Sequence, residues 1–148
     1  MQVREAGEAD LPAVCRLVRG LAEYEQLTHQ LGWTDEELGE LLFGADPVAR
    51  VLLAELDSGQ VAGLAIWYRT FSTFTAKTGI WVEDLFVPAE YRGMGAGTAL
   101  LERLFELAGD GRVEWSVLNW NAPAIRFYES LGARPVDGWT VYRWVRGG

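Results

Sequence analysis

Apolar positions recur along this chain with the two spacings that are typical of helices and of strands. ADLPAVCRLVRGLAEYE repeats apolar residues every three or four positions and predicts a helix with Asp10 as its N-cap. TDEELGELLFG predicts a shorter helix, in which Thr34 and Glu37 have the spacing of a capping box and Gly44 marks the end. TALLERLFELAGDG predicts a third helix. NAPAIRFYESLGA predicts a fourth, with Asn121 as its N-cap.

Six further runs are apolar or alternate with polar residues, and they predict strands: QVREA, ARVLLAEL, QVAGLAIWYRTF, TGIWVEDLFVP, RVEWSVLNW and GWTVYRWV. DSGQ between the second and third runs predicts a hairpin. The order β-α-α-β-β-β-α-β-α-β predicts a mixed α/β layer protein, with residues 1–148 as a single domain. A helix joins the strands near Val82 and Trp115, so we expect parallel neighbours with a right-handed crossover. Trp67, Trp81, Trp115 and Trp144 are expected in the core.

Composition excludes several classes of protein. Apolar residues make up 49% and charged residues 23% of the chain, which indicates a folded globular protein without a membrane span or a signal peptide. The lone cysteine, Cys15, lies on an apolar stripe, so we expect it to be buried and the protein to be cytoplasmic. The net charge of −8 disfavours nucleic-acid and membrane partners and permits cationic ones. One His and one Cys predict no metal site.

The stretch EYRGMGAGTALLERL places glycines 93, 95 and 97 directly before a helix. Backbone N–H groups at a helix N-terminus bind anions, and glycine lets a ligand approach the backbone closely. The phosphate-loop motif is excluded because no lysine follows, and the dinucleotide motif fails because Thr98 or Leu100 stands where its third glycine belongs. Spacing therefore indicates an anion site with Arg92 as a nearby cation. An ordinary glycine-rich turn is the alternative.

Two acidic residues, Glu83 and Asp84, interrupt the apolar strand GIWVEDLFV. Burying an unpaired carboxylate is costly, so the two acids are expected to have a partner or a chemical task. Adjacent strand residues point to opposite faces unless a bulge redirects them, which predicts different roles for the two acids. The alternative is that arginines or backbone N–H groups hold both of them.

VPAEYRGMGAGT resembles the acetyl-coenzyme A motif of the GNAT N-acetyltransferases, and nearly the whole chain follows their element order. GIWVEDLFV, NWNAPAIRFYESLGA, LAEYE and FSTF resemble the branch that contains spermidine/spermine and thialysine acetyltransferases. The resemblance implies the GNAT fold, with a mixed, mostly antiparallel sheet of six to seven strands and about four helices on both faces. It also implies transfer of acetyl from the cosubstrate acetyl-coenzyme A to a primary amine, by direct attack in a ternary complex. The amine would be a small diamine, a polyamine or an amino-acid-like amine.

The resemblance also assigns roles to residues. Glu83 would be the base, acting directly or through a water, on a strand that carries a bulge beside the thioester. Tyr128 would be the acid, although the apolar spacing of Ala124, Phe127 and Leu131 around it favours core by itself. The implied cofactor-binding residues are Leu85, Phe86, Val87, Arg92, Gly93, Met94, Gly95, Ala96, Gly97, Thr98, Asn121, Ala124 and Phe127. The implied substrate-binding residues are Tyr24, Glu25, Phe74, Glu83 and Asp84, beside a groove lined by Phe71, Ser72 and Thr73.

Several alternatives remain open from the sequence. Glu25 at a helix end is ordinarily solvated surface, and Lys77 in TFTAKTG, a stretch without acids, weighs against a polycationic substrate. GWTVYRWV resembles a segment that packs across a dimer in this branch, which implies a homodimer. The acceptor could instead be a protein, peptide or antibiotic amine, or the chain could be a non-catalytic acyl-coenzyme A sensor. The sequence does not identify the amine.

Overall fold

A computed structural model describes every residue of the chain, 1 to 148, in two compact units, Met1–Ser116 and Val117–Gly148. The first unit contains β1 Gln2–Glu5, α1 Leu11–Tyr24, α2 Asp35–Phe43, β2 Arg50–Glu55, β3 Val61–Ser72, β4 Lys77–Phe86, α3 Ala96–Ala108 and β5 Val113–Glu114. The second unit contains α4 Ala122–Ser130. None of these helices has the length and apolar character needed to span a membrane.

The five strands form one sheet in the order β1-β2-β3-β4-β5. The first three pairings are antiparallel, and β4 pairs with β5 in parallel through Ile80–Val113 and Trp81–Glu114. The predicted mixed, mostly antiparallel sheet and the parallel pair joined through a helix are therefore confirmed. The sheet has five strands rather than the expected six or seven.

Helices cover both faces of this sheet. On one face, α1 and α2 pack on β2, β3 and β4 through a core of Val14, Leu17, Leu21, Leu42, Val51, Leu53, Leu64, Ile66 and Phe86. On the other face, Leu100 of α3 packs beside Gly63 of β3. Gly63 pairs with Ala54, and Ala54 faces the opposite side of the sheet from its neighbour Leu53. Since Leu53 faces α1, α3 covers the face opposite to α1. Cys15 is buried, as expected.

All three predicted N-cap residues occupy their positions, but only two of them make a side-chain hydrogen bond to the helix end. Thr34 Oγ1 accepts a hydrogen bond from the Glu37 N–H at 3.2 Å, and Asn121 Oδ1 accepts one from the Ala124 N–H at 3.3 Å. Asp10 occupies the N-cap position of α1 but makes no side-chain cap. Its carboxylate accepts hydrogen bonds from Arg4 and from the Gly7 N–H instead, because a charged partner competes successfully with the helix end.

Two predicted strands need correction. RVEWSVLNW forms a strand only at Val113–Glu114, where β4 is its partner. GWTVYRWV forms no strand, and Trp144 is 77% exposed rather than in the core. Alternation of apolar and polar residues predicts only that a segment has one apolar face. A strand also needs a neighbouring strand to form hydrogen bonds with its backbone, and this segment has none within its unit. Trp67 is buried as expected, whereas Trp81 and Trp115 are half-buried.

Asp10 gives a pH-dependent prediction for the stability of the first unit. Hydrogen bonds from Arg4 lower the pKa of this carboxyl, so its stabilising contribution is present above its unfolded pKa of about 3.9 and is lost as the pH falls through the folded pKa. Asp10→Asn should lower the free energy of unfolding by about 1 kcal/mol at pH 7, and by less at pH 3. Urea unfolding at both pH values measures this. Asp57→Asn, which removes a 98% exposed carboxylate, is the control, and a pH-independent loss would contradict the assignment.

Candidate active site

Strand β4 carries a bulge at Glu83. Val82 pairs with Trp67 and Asp84 pairs with Ile66, so Glu83 has no partner in the ladder between β3 and β4. A bulge inserts one residue into one strand and reorients the side chains around it. The bulge that the resemblance implied for this strand is therefore confirmed.

The bulge brings Glu83 and Asp84 to the same face of the sheet. Trp81 pairs with Tyr68 and Asp84 pairs with Ile66. Ile66 and Tyr68 are two residues apart on β3 and share a face, so their partners share it too. The Trp81 Nε1–H donates a hydrogen bond to Glu83 Oε2 at 3.1 Å, which holds the Glu83 carboxylate on this face as well. The two acids are therefore neighbours rather than residues on opposite sides.

A third carboxylate, Glu25, lies close to this pair. Glu25 follows the last residue of α1 and is half-buried, and this burial raises its pKa. The pKa of Asp84 is raised to about 6 by burial and by the nearby negative charges of Glu83 and Glu25. We call Glu25, Glu83 and Asp84 the acidic cluster. Carboxylates kept together at this cost, without an arginine partner, are typical of functional sites.

Two residues of this face were missed from the sequence. Tyr68 is 37% exposed, and burial together with the charge of Glu83 raises its pKa. Trp81 was expected in the core, yet its indole N–H binds the Glu83 carboxylate. These two residues pair with each other across β3 and β4, and only the strand register reveals this. Alternation of residues along one strand does not specify that register.

The glycines between β4 and α3 serve two different purposes. Gly93 has φ +80° and Gly95 has φ +87°, a backbone conformation that disfavours other residues. Gly97 lies inside α3, which begins at Ala96, two residues before the predicted start. The first bond of the helical ladder runs from the Ala99 N–H to the Gly95 carbonyl, so the N–H groups of residues 96–98 precede it. The turn therefore presents helix N-terminal donors at a point of positive helix-dipole potential.

Arg92 lies at the start of this turn and is held in two ways. Its Nε–H donates a hydrogen bond to the Val87 carbonyl at 2.9 Å. Its guanidinium carbon lies 4.9 Å from the centroid of the Tyr24 ring, within the range of a cation–π contact. The Tyr24 ring in turn lies 6.4 Å from the ring of Phe86. A predicted substrate-binding residue and a predicted cofactor-binding residue therefore contact each other.

The strand edge that leads to the turn is open. Pairing between β4 and β5 ends at Trp81–Glu114, so residues 82–86 pair only with β3. Leu85, Phe86 and Val87, predicted to bind cofactor, lie in or directly after this open segment. Of the predicted residues around the turn, Met94 is 51% exposed and Ala96 is buried. An open edge offers unpaired backbone groups to an extended ligand.

The predicted groove residues lie far from the acidic cluster. Phe74 is 93% exposed at the turn between β3 and β4, and Phe71 is 77% exposed. Glu83 lies six residues after Lys77 on the strand, a distance of about 20 Å. Lys77 pairs with Asp110 at 3.1 Å, so its charge is engaged at the far end of β4 and does not oppose the cluster. A substrate role for Phe74 stays a prediction.

The remaining predicted residues belong to the second unit. Ala124, Phe127 and Tyr128 are half-buried on α4, which has no fully buried residue, and the rings of Phe127 and Tyr128 lie 5.6 Å apart. Asn121 is 5% exposed and caps α4. The structural role of Asn121 is confirmed, while the catalytic role of Tyr128 and the cofactor contacts stay predictions.

Comparison with known proteins decides the family. A model of the acetyltransferase (GNAT) family matches residues 18–133. This chain belongs to the GNAT acetyltransferase family. It is 35% identical to a thialysine N-epsilon-acetyltransferase of Bos taurus, over 97% of this chain and 91% of the relative. It is 28% identical to an L-ornithine N5-acetyltransferase of Arabidopsis thaliana, over 96% of this chain and 83% of the relative.

The fold of this GNAT acetyltransferase agrees with solved structures. A crystal structure of a probable acetyltransferase superposes with a TM-score of 0.80 at 20% identity, over all of this chain and 99% of the other. The predicted fold class is confirmed, and the chain is an acetyl-transferring enzyme. No group of three or more His, Cys, Asp or Glu side chains is placed to hold a metal ion.

The raised pKa of Asp84 predicts how much the acidic cluster lowers the free energy of unfolding. Because its folded pKa is about 6, above the unfolded value of about 3.9, the unfolded chain ionises first and the protein loses stability as the pH rises from about 4 to about 6. Asp84→Asn should therefore raise the free energy of unfolding at pH 7.5 by up to about 3 kcal/mol, and the gain should vanish at pH 4.

Chemical denaturation at pH 4 and pH 7.5 measures the effect of Asp84→Asn. Asp46→Asn, in the exposed loop between α2 and β2, is the matched control and should change neither value. Equal stability of Asp84→Asn and wild type at pH 7.5 would contradict the raised pKa of Asp84.

Proposed function

We propose that this GNAT acetyltransferase transfers the acetyl group of acetyl-coenzyme A to a primary amine of a small cationic molecule, by direct attack in a ternary complex. The acidic cluster on the bulge of β4 carries this proposal, because it offers both a base and negative charge for a protonated amine. The thialysine and ornithine acetyltransferases among its relatives, named for small amino-acid-like amines, support the same class of acceptor.

The proposed cofactor site follows β4 into the glycine turn. The N–H groups at the start of α3 and the Arg92 guanidinium would receive the pyrophosphate, with Gly93, Met94, Gly95, Ala96, Gly97 and Thr98 forming the turn. The positive φ of Gly93 and Gly95 supports this role, because glycine adopts this conformation readily and, with no neighbouring atom within 4 Å of a Cβ position, leaves the backbone of the turn open to a ligand. The amide groups of the pantetheine arm would pair with the open edge at Leu85, Phe86 and Val87.

The acidic cluster supports a role for Glu83 as the base. An alkylammonium with a pKa near 10.4 is about 0.04% neutral at pH 7, and only the neutral amine can attack the thioester. Glu83 would accept that proton directly or through one water, with its carboxylate oriented by the Trp81 N–H. Asp84 and Glu25 would favour the approach of the cation by their charge.

The proposed reaction forms one C–N bond and breaks one C–S bond. The amine lone pair would attack the thioester carbonyl carbon, the nitrogen would release its remaining extra proton to water, and the tetrahedral intermediate would then expel the thiolate of coenzyme A. Tyr128 would donate a proton to that sulfur, and Asn121, Ala124 and Phe127 would contact the cofactor, as the resemblance implies. Residues 1–148 would act as one catalytic domain, since the family match of residues 18–133 extends across both compact units.

The experiment that tests this function is an amine panel assayed for thioester consumption and acetylated product. We expect turnover of small diamines or amino-acid-like amines, and Glu83→Gln should lower kcat/KM about 10²- to 10⁴-fold at pH 7, with a smaller loss at pH 10 where the amine is largely neutral. Glu102→Gln, on the exposed side of α3, is the control.

Three outcomes of this assay would contradict the proposal. Turnover of peptide or aminoglycoside amines alone would replace the acceptor class. Binding of acetyl-coenzyme A without turnover of any amine would indicate a non-catalytic sensor. Unchanged kinetics of Glu83→Gln from pH 6 to pH 10 would remove Glu83 from the mechanism.

We also propose that the protein is a cytoplasmic homodimer. Its C-terminal segment exposes large apolar residues, with Trp139 at 78%, Val141 at 92%, Tyr142 at 93% and Trp144 at 77%. A cluster of exposed aromatic residues is typical of a protein–protein interface, and a second copy would supply the strand partner that this alternating segment lacks. The buried state of the lone Cys15 is consistent with a reducing compartment.

The dimer gives a prediction of molecular mass. Light scattering coupled to size-exclusion chromatography should give twice the chain mass of 16.5 kDa for the wild type. Trp139→Ser combined with Trp144→Ser should shift the protein toward the monomer mass, because two apolar anchors are lost. Val48→Ser, at a 64% exposed position between α2 and β2, should not. A wild-type protein of monomer mass would contradict the dimer.

A further inference from the structure

We infer that Tyr24 acts on the cofactor rather than on the acceptor amine, as a positioning residue that holds Arg92 beside the glycine turn. This inference rests on the proposed acetyl-coenzyme A site. It changes the role that the sequence predicts for Tyr24, which was substrate binding.

The contacts of Arg92 fix its guanidinium in two directions. The Nε–H is used by the Val87 carbonyl at 2.9 Å, which fixes one edge of the group. The Tyr24 ring, 4.9 Å from the guanidinium carbon, fixes its face. The two terminal nitrogens carry the four remaining N–H donors, in the fork that suits bidentate contact with phosphate oxygens. An exposed arginine held in this way loses less conformational entropy when it binds an anion.

Tyr24 is a firm support for this contact. It is the last residue of α1, it packs against the core on the α1 face, and its ring lies 6.4 Å from that of Phe86. Because α1 is anchored by buried residues such as Leu17 and Leu21, the position of the Tyr24 ring is set by the core rather than by solvent. The orientation of Arg92 is therefore coupled to the fold of α1.

The same contact disfavours a role for Tyr24 in amine binding. A protonated amine would approach the ring face for a cation–π contact, but the Arg92 guanidinium lies over the ring. The guanidinium charge also repels a second cation at this point. The neighbouring residue Glu25, whose charge acts on Asp84, is the part of the α1 end that suits the amine.

The test is the affinity for coenzyme A, measured by isothermal titration calorimetry. Tyr24→Phe keeps the ring face and should bind like the wild type. Tyr24→Leu removes it and should weaken binding about two- to fivefold, the range expected for an exposed cation–π contact. In the Arg92→Ala background, Tyr24→Leu should cause no further loss, because the residue acts through Arg92. In steady-state assays KM for acetyl-coenzyme A should rise while KM for the amine is unchanged.

The chain offers a matched control. The guanidinium of Arg19 lies 4.7 Å from the Trp33 ring centroid, a similar pair away from the turn, so Trp33→Leu should leave the affinity for coenzyme A unchanged. Thermal unfolding of every variant detects loss of fold. If Tyr24→Leu does not fold, Tyr24→Met keeps more of the packing on Phe86 without a ring face, and the same weakening is expected.

The outcomes separate the inference from the function on which it rests. Equal loss from Tyr24→Leu with and without Arg92, or a rise in KM for the amine alone, would overturn the positioning role and leave the cofactor site intact. Unchanged affinity of Arg92→Ala for coenzyme A would overturn the proposed contribution of Arg92 to that site, and with it the inference.

Discussion

The single extra residue in β4 is the constraint on which the candidate site depends. Without the bulge at Glu83, strand alternation would place Glu83 and Asp84 on opposite faces of the sheet, one toward α1 and one toward α3. With it, both carboxylates lie on the α1 face, near Glu25 at the end of that helix. The acidic cluster is thus a product of backbone register rather than of side-chain choice alone.

The surrounding structure supports a cluster that is unfavourable in itself. Three carboxylates near one another repel, and the raised pKa of Asp84 shows that ionising this carboxyl is harder in the folded protein than in water. The same face carries an apolar core that includes Leu53, Leu64 and Ile66, and the burial of these residues offsets this cost. Arrangements that lower the stability of the fold, and that the rest of the fold compensates, are expected at catalytic sites.

Local features of the fold could be predicted from the sequence, and features that depend on distant partners could not. The four helices, the Thr34 and Asn121 caps and the glycine turn follow from residue types within a few positions. The same information placed Asp10 at the N-cap of α1 but did not reveal that its carboxylate binds Arg4. It also misassigned GWTVYRWV, which has no strand to pair with in its unit. In the candidate site, the sequence and the family resemblance single out Glu83 and Arg92, whose roles stay predictions. Tyr68 and Trp81 were missed, because pairing across strands is not encoded in either strand separately.

The C-terminal end of α1 borders both parts of the candidate site in the first unit. Its residues Tyr24 and Glu25 lie near groups of opposite charge. Tyr24 contacts the Arg92 guanidinium at the start of the glycine turn, whereas Glu25 adds negative charge near Asp84 on the bulge. Along β4 and its turn, eight residues separate Glu83 from Arg92, so negative and positive potentials lie within one short segment. A cationic amine and an anionic cofactor are then drawn to different ends of that segment. Because the end of α1 borders both the glycine turn and the acidic cluster, the distance between the positive and the negative region depends on how α1 packs on the sheet.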